Sequence, residues 1–129
     1  MPSTACILVV EDDPDIADSI QLILETSGYD VSLAANGQEA LDRLAEGLPS
    51  VIVLDMLMPI MNGWQFASEL ARRYPHGRPP IIVVTAAEHA RSRADEIGAE
   101  ACVKKPFEAR TLLATVADVL ARMARGSEP

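Results

Sequence analysis

Several residues that could bind a metal ion or react with a phosphoryl group come directly after short apolar runs of this chain. The runs end at three acids spanning 11–13, at Asp55, at Thr85 and at the lysine pair 104–105. If the runs are parallel strands, their carboxyl ends meet at one edge, where open α/β sheets place their sites. Carboxylates, a hydroxyl and an ammonium at one edge suit a divalent cation together with a phosphoryl group.

Composition predicts one acidic domain with its own core. The chain has 129 residues, 49% of them hydrophobic, which is enough for a single domain. Its net charge of -8 repels phosphate backbones and anionic lipids, so direct contact with nucleic acid or membrane is not expected. The first residues lack the positive segment of a secretion signal, and no apolar stretch approaches the ~20 residues of a membrane span. The sequence therefore predicts a cytoplasmic protein.

Strands and helices are predicted to alternate strictly along the chain. Five apolar runs are typical of strands, at 5–10, 31–34, 51–54, 81–84 and 101–103. Helices are predicted from Pro14, from Gln38, after Asn62-Gly63, and from about Glu88 and Glu108, the third with Phe66, Leu70 and Ala71 on one side. Such alternation favours a flavodoxin-like, doubly wound parallel sheet covered by helices on both faces. Cys6 and Cys102 follow no metal-ligand spacing, so we expect two buried thiols without a disulfide.

The acidic residues after the first strand allow two interpretations. Asp13, before Pro14, and Asp15 can be explained as helix-capping residues that interact favourably with the helix dipole. Glu11 and Asp12 are less easily explained in this way, because like charges at the end of a buried strand oppose folding. A bound Mg²⁺ would remove that conflict, since Mg²⁺ prefers one or two carboxylates with water and phosphate oxygens. Local sequence leaves capping and metal binding open.

The other edge residues also allow a structural and a chemical interpretation. Asp55 could be a carboxylate that accepts hydrogen bonds from loop N–H groups, or a nucleophile that forms an aspartyl phosphate. Thr85 could be a plain strand residue or helix cap, or a hydroxyl donor to a phosphoryl oxygen. Lysine pairs are usually solvated, but Pro106 fixes the backbone after Lys105 and could aim its side chain.

Four short motifs together resemble the receiver domain of two-component response regulators. They are Val-Val-Glu-Asp-Asp at 9–13, Leu-Asp-Met-Leu-Met-Pro at 54–59 with Asn-Gly at 62–63, Val-Thr-Ala at 84–86, and Lys-Pro-Phe at 105–107. Each motif alone is weak, whereas all four in this order are specific. The resemblance covers nearly the whole chain and implies the strand order 2-1-3-4-5 with five helices. It implies a receiver domain over 5–124, flanked by short tails at 1–4 and 125–129 and followed by no output domain, whether the chain is a stand-alone receiver or an excised one.

The resemblance also implies roles for individual residues. Asp55 is the implied phosphoacceptor, receiving its phosphoryl group from a histidine kinase or a histidine phosphotransfer protein and signalling to a protein partner. Mg²⁺ would be held by Glu11, Asp12 and Asp55 with the backbone carbonyl of Leu57. Lys105 would pair with the phosphoryl group, and the Thr85 hydroxyl would move to bond it. The family often has a cis peptide here, so we expect Lys105-Pro106 to be cis.

Three positions depart from what is common in the family. Cys102 stands three residues before Lys105, where an aromatic ring commonly swings inward as the threonine moves, so a different readout is expected. Leu57 and Ala87 occupy positions that in the family tune attack of water on the phosphoryl group. Both are apolar and cannot orient a water, so we expect slow autodephosphorylation, which a phosphate lifetime of seconds would contradict.

Other classes of protein explain the same residues less well. A haloacid-dehalogenase-type enzyme needs a second aspartate two residues after the nucleophile, and that position is Leu57. A flavodoxin needs a phosphate-binding loop after the first strand, where this chain has acids that repel phosphate. The remaining alternative is a receiver-like scaffold that binds partners without being phosphorylated.

Overall fold

The structure, a computed structural model, describes residues 5–86 and 89–126 as five strand and helix pairs. In chain order they are β1 (Cys6–Val10), α1 (Pro14–Thr26), β2 (Asp30–Ala34), α2 (Gly37–Glu46), β3 (Val51–Leu54), α3 (Gly63–Arg73), β4 (Ile81–Ala86), α4 (Ala90–Ile97), β5 (Ala101–Lys105) and α5 (Ala109–Gly126). No helix within these ranges is long and apolar enough to cross a bilayer.

The five strands form one parallel sheet in the order β2-β1-β3-β4-β5. This confirms the predicted flavodoxin-like fold and its strand order. The strands read as unbroken apolar runs because both faces of the sheet are covered. Alternate residues of β1 and β3 enter two separate core layers, one packed against α2, α3 and α4 and the other against α1 and α5. The carboxyl ends of all strands consequently lie at one edge.

Two strands extend at their carboxyl ends beyond the predicted apolar runs. β4 continues through Ala86 and β5 through Lys105, so Thr85 and both lysines belong to paired strands. Thr85 lies opposite Lys104, and Ala86 opposite Lys105. Apolar runs indicate burial, whereas backbone hydrogen bonding continues into polar residues at the site edge.

Some expected positions were wrong. Cys6 is exposed at the start of β1, where the strand emerges from its helix cover, and Cys102 is only half-buried. Ala71 is exposed; Ala67, three residues before Leu70, shares its buried stripe instead. α5 continues through Gly126, although a tail was expected from residue 125. The predicted start of the fourth helix at Glu88 lies outside the described residues.

The helices that follow the loops around the site begin at side chains that cap their first N–H groups. Asp13 caps α1 by accepting hydrogen bonds from the N–H groups of Asp15 and Ile16, with Pro14 in the first turn. This confirms the capping interpretation of Asp13. α3 begins with a reciprocal capping box between Asn62 and Gln65.

Gly63 allows the loop after Asp55 to fold back closely on itself. Its N–H donates to the Met56 carbonyl at 2.9 Å, and a Cβ at this position would lie 2.7 Å from the Met56 Cα and 2.5 Å from its Sδ. We therefore expect Gly63→Ala to destabilise the fold by about 1–3 kcal/mol through overpacking. Urea unfolding measures this, with exposed Ser68→Ala on the same helix as the control. Equal or greater stability of Gly63→Ala would contradict the expected clash.

Candidate functional site

Three carboxylates converge where β1 and β3 end. Val10 pairs with Leu54 across these neighbouring strands, so the residues that follow, Glu11 and Asp55, lie side by side. The backbone N–H of Asp55 donates to the Val10 carbonyl at 2.9 Å and fixes this arrangement. Ligand oxygens of Glu11, Asp12 and Asp55 all lie within 4.8 Å of one another. The structure thus brings together the three acidic side chains that the sequence singled out.

The three carboxylates differ in exposure. Glu11 is 4% exposed and Asp55 6% exposed, whereas Asp12 is open to solvent. Two buried carboxylates side by side are unfavourable unless a cation or hydrogen bonds compensate for them. The Glu11 carboxylate accepts a hydrogen bond from the Asp13 N–H at 3.2 Å, and Asp55 Oδ1 accepts one from the Leu57 N–H at 3.4 Å.

Lys105 supplies the positive charge at this edge. It ends β5, and its side chain extends past β4 so that Nζ lies 2.8 Å from Glu11 Oε1 and 3.7 Å from Asp55 Oδ1. The peptide bond from Lys105 to Pro106 is cis, as predicted. The family resemblance implied that Lys105 pairs with a phosphoryl group on Asp55. In this structure its shorter contact is with Glu11.

Asp55 titrates far from its ordinary range. Burial and the neighbouring Glu11 carboxylate raise the pKa of Asp55 to about 7, while Lys105 and the Leu57 N–H act in the opposite direction. A cation bound at the three carboxylates would favour the charged form of Asp55. Like charges therefore conflict at this edge, where the Glu11 carboxylate acts on Asp55; the conflict predicted from the sequence was between Glu11 and Asp12.

The donor set fits Mg²⁺ well. It consists of hard carboxylate oxygens, two on buried side chains and one on the solvent-facing Asp12. Mg²⁺ binds few protein carboxylates and keeps positions for water and phosphate oxygens, which an edge open on one side provides.

Thr85 lies in β4, next to β3, and is 2% exposed. Its Oγ1 accepts a hydrogen bond from Nη1 of Arg93, in α4, at 3.1 Å. The Arg93 guanidinium in turn lies 5.5 Å from the ring centroid of Trp64, in α3. Sequence analysis missed both Arg93 and Trp64. Their spacing carries no motif, because the contact depends on how α3 and α4 pack on the sheet.

Of the three residues that depart from the family pattern, the structure describes Cys102 and Leu57. Cys102 pairs with Val83 in the sheet and packs against the core layer under α2, α3 and α4. The Leu57 side chain is 56% exposed and offers no polar atom. Ala87 lies outside the described residues.

Comparison with known proteins agrees with the geometry. The family model described as response regulator receiver domain matches residues 7–117. Response regulator Rre1 of Synechocystis is 34% identical over 99% of this chain and 57% of its own length. The chain spans about half the length of the curated relatives it matches.

Solved structures show the same architecture. A CheY-like receiver domain protein from Methanospirillum hungatei superposes with a TM-score of 0.86 and 29% identity, over 97% of this chain and all of that one. Response regulator TrrA of Thermotoga maritima, solved in complex with Mg(2+)-BeF, has a TM-score of 0.79 and 32% identity, covering 89% of this chain and 98% of that one. The match of the family model across most of the fold shows that this chain belongs to the response regulator receiver domain family.

Proposed function

We propose that this chain is a phosphoacceptor that receives a phosphoryl group on Asp55 from a histidine kinase or a histidine phosphotransfer protein and signals to a protein partner. The observation that carries the proposal is the buried Asp55 carboxylate beside Lys105 Nζ and two further carboxylates. Receiver domains act in two-component signalling, and we place this one in the cytoplasm.

The reaction is a transfer between two side chains. An Asp55 carboxylate oxygen attacks phosphorus, the P–N bond of the phosphohistidine breaks, and its electron pair stays on the imidazole nitrogen. Only the deprotonated carboxylate is nucleophilic, so a pKa of about 7 would leave part of the metal-free protein unreactive at neutral pH. Mg²⁺ held by Glu11, Asp12, Asp55 and the Leu57 carbonyl would neutralise charge on both the carboxylates and the phosphoryl oxygens.

Lys105 and Thr85 are the proposed ligands of the phosphoryl group. Lys105 Nζ lies 3.7 Å from Asp55 Oδ1 and can pair with an added phosphoryl oxygen by a small movement away from Glu11. The Thr85 hydroxyl would donate to a second oxygen. Phosphoryl transfer depends mainly on positioning and charge neutralisation, which these groups supply.

Intact mass after incubation with acetyl phosphate tests the proposal. The wild-type protein is expected to gain one phosphoryl group in the presence of Mg²⁺, and Asp55→Asn or omission of Mg²⁺ is expected to abolish the gain. Asp18→Asn, an exposed aspartate of α1, is the matched control and should be phosphorylated normally. Phosphorylation of Asp55→Asn would contradict the assigned acceptor.

No phosphorylation of the wild type, with either acetyl phosphate or a candidate histidine kinase, would favour the scaffold that binds without phosphorylation. The same samples also give the lifetime of the phosphoryl group. Because Leu57 presents no polar atom to orient a water, we propose that the phosphoryl group is lost slowly.

A further inference from the structure

The contact from Arg93 to Thr85 links the proposed phosphorylation site to α4 and, through Trp64, to the start of α3. Thr85 lies at the site edge, Arg93 on α4, and Trp64 at the start of α3. A threonine hydroxyl has one proton to donate and lone pairs to accept with. Since Arg93 occupies an acceptor lone pair, the hydroxyl proton itself remains usable by a phosphoryl oxygen. What Arg93 restricts is the position of the hydroxyl.

The Arg93 guanidinium contacts both the site edge and α3. One contact is the hydrogen bond to Thr85 Oγ1 at 3.1 Å, and the other is the Trp64 ring at 5.5 Å. Trp64 follows the close-packed Gly63 and contacts the core layer under α2, α3 and α4, so its ring is held in place. If Thr85 moves toward Asp55, Arg93 must lose either the hydroxyl or the ring.

We propose that Arg93 is a positioning residue that holds Thr85 away from a phosphoryl group on Asp55, and that Trp64 reports its release. This inference rests on the proposed phosphorylation of Asp55. It assigns to Arg93 and Trp64 the coupling that Cys102, which has no ring, does not provide. A phosphoryl group on Asp55 that draws Thr85 toward it breaks one of these Arg93 contacts. Arg93 therefore disfavours binding of that group.

The direction in which substitution of Arg93 changes the affinity for an anion distinguishes this role from a purely electrostatic one. Loss of a positive charge near the site would weaken binding of an anion. Loss of a restraint on Thr85 would instead strengthen it. We therefore expect Arg93→Gln to bind the phosphoryl analogue beryllofluoride about three- to tenfold more tightly than wild type, the size expected for one cation–π contact or one ordinary hydrogen bond.

The test titrates beryllofluoride with Mg²⁺ and follows binding by ¹⁹F NMR and by the emission of Trp64, the only tryptophan of the chain. The wild type should show a saturable emission change that Arg93→Gln loses, together with tighter binding by NMR. Arg91→Gln removes an exposed arginine from the same helix and should match the wild type. Arg93→Lys keeps the charge but not the planar group, and should bind as tightly as Arg93→Gln.

Several results would overturn the inference. Affinity of Arg93→Gln within twofold of Arg91→Gln, or an unchanged emission response, would show that Arg93 does not restrain Thr85. Weaker binding by Arg93→Gln together with wild-type affinity in Arg93→Lys would assign the effect of Arg93 to charge alone. These results would leave the proposed function intact if the wild type binds beryllofluoride and is phosphorylated on Asp55. Failure of the wild type in both assays would overturn the inference together with the proposed function.

Discussion

Asp55→Asn is expected to stabilise the metal-free protein at pH 8 by about 2–4 kcal/mol, which is a large fraction of the stability of a small domain. In the folded protein, burial and Glu11 raise the pKa of Asp55 from 3.8 to about 7. The charged carboxylate is therefore less favourable in the folded chain than in the unfolded chain. An asparagine has no such charge.

The sign of the pH dependence follows from the raised pKa. Below pH 3.8 Asp55 is protonated in both states, and the stability that it contributes is fully present. As the pH rises toward and through about 7, the unfolded chain releases this proton more readily, and that stability is lost. The advantage of Asp55→Asn should accordingly be small near pH 4 and largest at pH 8. Loss of the contact with Lys105 reduces the gain, since Lys105 lowers the pKa of Asp55.

Urea unfolding in the presence of EDTA at pH 4 and pH 8 measures the difference between variant and wild type. Asp18→Asn, on the exposed face of α1, controls for the loss of one negative charge. Addition of Mg²⁺ at pH 8 should stabilise the wild type more than Asp55→Asn and so narrow the gap. A variant no more stable than wild type at pH 8 would show that Asp55 is not under the predicted electrostatic conflict.

The sequence predicted the sheet well because its signals are local. Each predicted strand is a short apolar run, and Pro14 and the Asn62-Gly63 pair mark where two of the helices begin. Parallel topology then placed the polar residues after those runs at one edge. The acidic cluster and the nearby Lys105 followed without any knowledge of side-chain conformations.

Contacts that depend on how helices pack on the sheet could not be predicted in this way. Arg93 meets Thr85 because α4 is oriented so that one of its two arginines points inward, and the charge pattern of the helix does not identify which one. Lys105 Nζ lies closer to Glu11 than to Asp55 although β3 is nearer to β5 than β1 is, because the conformation of the lysine side chain sets that distance. The exposure of Cys6 was not predicted, because an apolar run does not indicate where the covering helices end.

Lys105→Met is expected to have the opposite effect from Asp55→Asn, destabilising the metal-free protein by about 3–5 kcal/mol at pH 8. The substitution keeps most of the aliphatic stem but leaves the buried Glu11 and Asp55 carboxylates without the ammonium that lies 2.8 and 3.7 Å from them. Because Lys105 lowers the pKa of Asp55, its loss raises that pKa further, so the destabilisation should shrink as the pH falls and the carboxylates become protonated. Mg²⁺ should restore part of the stability by supplying positive charge. Phosphorylation should still fall by roughly 100-fold, because the ammonium that would neutralise charge developing on the phosphoryl group is missing.

Lys104→Met, at the exposed neighbouring lysine, is the matched control in urea unfolding and in the mass assay. Equal stability of the two lysine variants at pH 8 would mean that the carboxylates do not depend on Lys105 for compensation.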